Sequence, residues 1–247
     1  LDRCAESHKG IVWIGLEYRY MPTTSALLHH LPDIGNVKMC AIQEHRFPFL
    51  KKVGDWNRFN RNTGGTLVEK CCPFFDLMNL VVPGNPVRAI ASGAQSVNHL
   101  DESYNGEVPD ILDNAYVIVE YDSGARAMLD LCMFAEGSKY EQMIAVTGDD
   151  GKLETTVPGD EVFISKRERN SGKSVQIEMD PRVKHEGFHH GSSFLEHREF
   201  IDAIREGRPP AVTTRDGLMS VLLGMAAQKS IESGQAVDIQ SLLTSKQ

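Results

Sequence analysis

The stretch "GGTLVEKCCPFFD", residues 64 to 76, gathers the residue types best suited to chemistry. Glu69 is a carboxylate among Leu67, Val68, Cys71 and Cys72, a setting that favours a face turned to a pocket over one in open solvent. Residues four apart on a helix lie one above the other, and one turn past Glu69, at position 73, stands a proline, which has neither a titratable group nor a side-chain donor. Inside a helix it removes a backbone donor and clashes with the preceding turn, at a cost of roughly 3 kcal/mol. Two readings follow. The spacing of Leu67, Val68, Cys71, Cys72, Phe75 and Met78 carries a single helix, kinked, through the proline. The other reading starts a new helix at Cys72, with Pro73 in the permissive first turn. Cysteine is a poor cap, and the kinked helix is the preferred reading. Asp76 closes the stretch, and Cys71 and Cys72, with no base at recognisable spacing, read as core.

Further candidates lie outside it. "GLEYRYMP" places Arg19 and Tyr20 just after the apolar run "IVWIGL". Ligands gather at the carboxyl ends of strands in open α/β sheets, although polar residues also simply close strands. His45 ends the strand-like "CAIQEH". "HEGFHHGSSFLEH" concentrates His185, His189, His190 and His197. Adjacent histidines point apart, His197 lies a turn inside the next helix, and no H-E-x-x-H spacing occurs, so no metal is expected. His190, just ahead of a helix start, is retained as a residue bordering the cleft.

The elements that must position these residues belong to a chain of 247 residues with 41% apolar and 24% charged content, an ordinary globular composition. A net charge of -8 argues against nucleic acid or an anionic membrane as partner. No apolar run is long enough to span a bilayer, and no signal segment opens the chain. Five cysteines, odd in number and without a C-x-x-C pair, point to a reducing compartment, the cytoplasm. The opening "LDRCAESHKG" reads as a helix and "IVWIGL" as a strand buried on both faces of a parallel sheet. Such a strand needs a neighbour reached through a crossover helix, and here only the helix is present. Residues 1–32 therefore read as the last helix–strand unit of a Rossmann-like α/β domain, and 33–247 as a second domain. A short helix over 24–30 comes next, then a strand in "NVKMCAIQEHRFPF". After the motif helix, "VRAIASGAQS", "AYVIVEYD", "ARAMLDLCMF", "EQMIAVTG" and "EVFISKRE" read as strands, antiparallel because their connections are short. Ser193 and Glu196 form a capping box for a helix with the stripe Phe194, Ile201 and Ile204. Thr213 and Asp216 open the last helix, whose stripe is Leu218, Val221, Leu222 and Met225. The fold class is α+β: a large mixed, mostly antiparallel sheet with helices on one face.

These segments resemble one family. "GG-x-x-x-E-x-x-x-P-x-x-D" is similar to the G-G-x-x-x-D-x-x-x-H-x-x-D signature of the glucose–fructose oxidoreductase / inositol dehydrogenase / rhizopine-catabolism oxidoreductases. "GLEYRYMP" resembles the strand leaving their nucleotide domain, and "DGLMSVLLGMAAQKSIESGQAVDI" their terminal helix and strand. The resemblance implies hydride transfer between NAD or NADP and a polyol, sugar or related hydroxy compound. It puts Glu69 at the family's catalytic aspartate and Pro73 at its acid–base histidine. It implies substrate contacts from Arg19, Tyr20, His45, Asp76 and His190, and pairing of subunits through the open sheet face. The family's Gly-rich phosphate loop and its Glu-Lys-Pro motif do not occur here. No cofactor is therefore expected to bind this chain alone, and a non-catalytic family member is the alternative.

Overall fold

The computed structural model describes residues 2–244. It begins with α1 (Asp2–Ser7), a 3₁₀ turn (Glu17–Tyr20) and α2 (Pro22–His29). Strand β1 (Val37–His45) precedes three helices, α3 (Asn60–Thr63), α4 (Thr66–Glu69) and α5 (Cys72–Val81). Seven strands follow: β2 (Pro86–Ala94), β3 (Asn114–Tyr121), β4 (Arg126–Cys132), β5 (Gln142–Gly148), β6 (Gly151–Val157), β7 (Glu161–Lys166) and β8 (Lys173–Gln176). Helices α6 (Ser192–Glu206) and α7 (Thr214–Ser233), strand β9 (Val237–Asp238) and α8 (Ile239–Thr244) complete it.

The strands form one sheet in the order β8-β7-β6-β5-β1-β4-β3-β2-β9. Alternation of apolar residues fixes which side of each strand is buried, since neighbouring side chains point to opposite faces. Along one row Val117, Leu129, Ile42 and Ile144 stand side by side in register, all buried. Strand β1 pairs with β4 in parallel and with β5 antiparallel, which makes the sheet mixed. On the inner face lies α5, whose Phe74, Phe75, Leu77 and Met78 are buried with the strand residues in one core. Helix α7 crosses α4 at backbone contact: a Cβ at Gly224 would stand 2.5 Å from the Leu67 carbonyl oxygen.

Two strands start in the same way. Asn36 and Asn85 each donate backbone and side-chain N–H groups to an aspartate in a distant turn, Asp149 and Asp122 respectively. The glycine before each asparagine has positive φ, and a Cβ there would strike that aspartate's Oδ1 at 2.3 Å (Gly35) or 2.1 Å (Gly84). These two glycines are required.

Five expectations are corrected. "IVWIGL" forms no strand, because no other described strand lies beside it; Ile14 instead donates to the Val212 carbonyl at 3.2 Å. The motif helix is broken rather than kinked, since α4 ends at Glu69 and α5 begins at Cys72 with Pro73 in its first turn. A proline there forfeits no helical bond, because the first N–H groups of a helix lack partners anyway. The Ser193–Glu196 capping box does not form: Ser193 Oγ donates to Glu17 Oε2 at 2.6 Å and Glu196 Oε1 accepts from Trp13 Nε1 at 3.0 Å. The α6 stripe is turned outward, with Phe194, Ile201 and Ile204 all exposed. In α7 the buried residues are Ser220, Leu222, Leu223, Gly224, Ala226, Ala227 and Ser230, so only Leu222 of the expected stripe is sealed. Strands β6 and β8 had no distinct signal, because "KLETTV" and "KSVQ" are largely polar. The Thr213–Asp216 capping box forms as read.

Candidate functional site

Helix α4 is a single turn opened by Gly65 at φ 90°. It carries Glu69 at its end, with a side chain only 13% exposed. Its Oε1 stands 2.5 Å from Lys52 Nζ. Lys70 and Cys71 make the break, so Glu69 and Pro73 belong to different helices. Beyond the break, the Phe74 and Phe75 amides both donate to the Cys71 carbonyl. Lys70 turns away from Glu69, and its Nζ lies 2.7 Å from Glu44 Oε1. Glu44 is fully buried on the inner sheet face, where Gln142 Nε2 also donates to it and Arg46 Nη1 lies 3.5 Å away. Burial pushes the Cys72 thiol up to about 11 and the Cys71 thiol well above its ordinary value, so neither is a ready thiolate nucleophile.

One turn along α5, Asp76 is 2% exposed and bound bidentately by Arg19, Nε to Oδ2 at 2.6 Å and Nη2 to Oδ1 at 2.5 Å. The remaining guanidinium nitrogen, Nη1, donates to the Ala211 carbonyl at 3.1 Å, and Asp216 at the start of α7 lies 3.5 Å from Nη2. Arg19 thus ties the 3₁₀ turn to α5 and α7. Arg19 and Asp76 face each other, with Asp216 as a second acidic neighbour of the guanidinium. Tyr20 packs against Trp13, ring centroids 6.5 Å apart. Burial, with Glu196 and Glu199 nearby, pushes its phenol upward.

The remaining two candidates lie apart from Glu69. His45 projects from the outer sheet face, where Nε2 meets Asp130 Oδ1 at 2.9 Å. Strand parity decides this, because Glu44 points inward and its neighbour must point outward. His190, in a left-handed conformation at φ 50°, lines a cavity of about 270 Å³ with Met21, Thr23, Asp160 and Glu186. No residue of α4 or α5 lines that cavity. His189 pairs with Glu17 at 2.8 Å and His197 Nδ1 lies 2.6 Å from the Ser193 carbonyl. Among the described residues no group of three or more His, Cys, Asp or Glu is placed to hold a metal ion. The same residues do not fit the phosphates of a dinucleotide. Its cradle is a strand, a glycine turn and a helix N-terminus, whereas α1 has six residues and the segment behind it is unpaired.

Sequence reasoning passed over Glu44, Lys70, Lys52 and Trp56. For Glu44 a signal existed: it shares strand parity with Cys40 and Ile42, so an inward carboxylate demanded a cation. Lys52 lies in a loop without periodicity, and its approach to Glu69 depends on tertiary packing.

Comparison with known proteins agrees with this architecture. Residues 32–239 match the profile described as "Oxidoreductase family, C-terminal alpha/beta domain", of the glucose–fructose oxidoreductase / inositol dehydrogenase / rhizopine-catabolism oxidoreductases. The chain is 28% identical over 190 residues to myo-inositol 2-dehydrogenase of Thermotoga maritima, covering 74% of this chain and 52% of that protein. It therefore spans about half the length of the curated relative that it matches. A probable dehydrogenase from Thermotoga maritima superposes with a TM-score of 0.75 at 22% identity, over 97% of this chain and 68% of that one. Levoglucosan dehydrogenase in complex with NADH and levoglucosan gives 0.78 at 15% identity, over 94% and 67%. These structures share the fold. The chain belongs to the family whose profile it matches, and no helix among its described residues is long and apolar enough to cross a membrane.

Proposed function

From membership in that family, we propose that this chain is the substrate-binding and subunit-pairing part of an NAD(P)-dependent oxidoreductase acting on a polyol, sugar or related hydroxy compound. Residues 33–247 form its substrate domain and 1–32 the end of a dinucleotide-binding domain. The observation that carries the reading is Glu69: a largely buried carboxylate at the family's acidic position, beside a helix start. Glu69 accepts the substrate hydroxyl. Tyr20 and His190 are the further substrate contacts that the family resemblance implies. Arg19 and Asp76 hold the frame.

Pro73 favours a second reading. Without an imidazole one turn past Glu69, the protein is a poor dehydrogenase or a ligand-binding member without turnover. The intact protein, assayed with NAD or NADP against a panel of polyols, separates the two. Losing a positioned acid–base costs about 10² to 10⁴ in rate. Pro73→His is expected to raise turnover by a comparable factor, and no turnover in either form favours the second reading. The 247-residue chain alone is expected not to bind NADH, and a saturable micromolar rise in nicotinamide fluorescence contradicts that.

Subunit pairing rests on the outer sheet face. Ile90, Ile118 and Met128 stand in register across β2, β3 and β4, each about two-fifths exposed, and Tyr116, Met39 and Met143 are more open still. An apolar area of this breadth is seldom left to water on a monomer, and a homodimer would cover it with its own copy. Light scattering of wild type and of Met128→Lys tests this; a wild-type monomer of 27.5 kDa contradicts it.

A further inference from the structure

The loop between β1 and α3 is built more firmly than a connection requires. Asn57 is fully buried. It accepts the Lys52 amide on Oδ1 at 3.3 Å and donates from Nδ2 to the Leu50 carbonyl at 3.0 Å. Asn62 Nδ2 donates to the Trp56 carbonyl at 2.9 Å. Gly54 and Asp55 both take the left-handed conformation, at φ 67° and 55°, which glycine adopts freely and aspartate more readily than most residues. Lys51 Nζ braces Asp55 at 2.9 Å. The side chains on this fixed backbone are nevertheless open: Val53 is 94% exposed, Leu50 72% and Trp56 41%. A rigid loop that presents apolar and aromatic groups to solvent is characteristic of a recognition surface.

That loop meets the candidate site at one point. Lys52 Nζ is 2.5 Å from Glu69 Oε1 and 5.2 Å from the centroid of the Trp56 ring. An ordinary exposed ion pair contributes little and needs no such support; here one partner is nearly sealed while the other, Lys52, is 47% exposed. An ammonium has three donors and a carboxylate four lone-pair directions, so each keeps hydrogen-bonding capacity after the pair has formed. A carboxylate, an ammonium and an indole within reach of one another suit a ring bearing adjacent hydroxyls. Glu69 accepts from one hydroxyl, Lys52 donates to the next, and the apolar C–H face lies on the indole.

We propose that Lys52 and Trp56 complete, with Glu69, a subsite for a cyclic polyhydroxylated compound, and that Lys52 sets which hydroxyl arrangement is accepted. This rests on the reading that Glu69 addresses the substrate. The subsite draws on no side chain of α5, so it does not depend on an imidazole at position 73.

The test uses the chain's two tryptophans. Trp13 packs on α6 through Glu196 and Phe200, so Trp13→Phe leaves Trp56 as sole reporter, with far-UV circular dichroism checking the fold. Myo-inositol and levoglucosan are titrated by fluorescence and by calorimetry. Saturable change in Trp56 emission is expected, with affinity lowered about tenfold or more by Lys52→Met, as for a lost charge-assisted hydrogen bond. Lys52→Arg is expected to recover most of it, and Glu69→Gln to abolish binding. Calorimetric binding that Glu69→Gln abolishes, with Trp56 emission and Lys52→Met affinity unchanged, overturns the subsite and leaves the proposed function standing. Binding of neither compound, or binding indifferent to Glu69, overturns both.

Discussion

Asp76 and Glu69 stand seven residues apart in sequence, and each has one basic partner at 2.5 Å. Their surroundings give them opposite tasks. Asp76 is closed in by Arg19, which is itself closed in by α7 and the Ala211 carbonyl. Glu69 is met by a lysine that remains half in solvent. The sealed pair is shut away from solvent and holds three elements together. The rim pair holds little together and keeps capacity. A third pair, Glu44 with Lys70, is of the sealed kind, and it anchors the break between α4 and α5 to β1. Identical chemistry thus serves architecture or recognition according to how much water reaches it.

The contrast breaks most visibly at Arg19. Arg19→Met leaves a buried carboxylate without its counter-ion, and destabilisation of about 3–5 kcal/mol is expected. Chemical denaturation measures it, and Arg19→Met with Asp76→Leu together should recover most of the loss. If Arg19→Met costs no more than Lys52→Met, the division into sealed and rim pairs is wrong.

A pH titration sharpens the same division at a fourth site, where Glu102 accepts from His99, Tyr104 and Arg58. Burial pushes the Glu102 carboxyl up, but those three hydrogen bonds outweigh it and hold the group at about 2 against an ordinary 4.5. A carboxylate held lower in the fold than in the unfolded chain stabilises the fold above the unfolded value. That stabilisation is lost as pH falls from 4.5 toward 2. Stability of the wild type should fall across this window, and Glu102→Gln should flatten the slope; an unchanged slope removes Glu102 from the account.

Smaller effects are expected at the rim. Lys52→Met should change stability by no more than about 1 kcal/mol, read from the same denaturation curves, whatever it does to ligand binding. The smallest is at Pro73. Within a continuous helix its replacement would stabilise by roughly 3 kcal/mol. In the first turn of α5 it forfeits no bond, and Pro73→Ala should leave the melting temperature within about 2 °C. A large rise would restore the kinked-helix reading.

Much of this was legible without coordinates. Strand alternation gave β1 to β5 and β7, because a sheet with one buried face imposes a period of two on its sequence. The Thr213–Asp216 box gave the start of α7, because a cap is a local bond between residues three apart. The placing of Glu69 one turn before a proline is read directly from "GGTLVEKCCPFFD", and residue type alone gives Pro73 no side-chain proton to transfer. Whatever required distant segments to meet was decided by the tertiary structure. Ser193 and Glu196 have the pattern of a cap but bond Glu17 and Trp13 instead, because a packed neighbour offered those side chains better partners than their own helix end. The pairing of Arg19 with Asp76 required the 3₁₀ turn to meet α5. His45 stands on the outer face of β1, fixed by the inward parity of Cys40, Ile42 and Glu44. Lys52 carries no pattern of its own and reaches Glu69 only because a loop closed around Asn57 brings it there. Local periodicity and residue chemistry are written along the chain; the pairing of charges across it depends on which surfaces folding brings together and how much water is left between them.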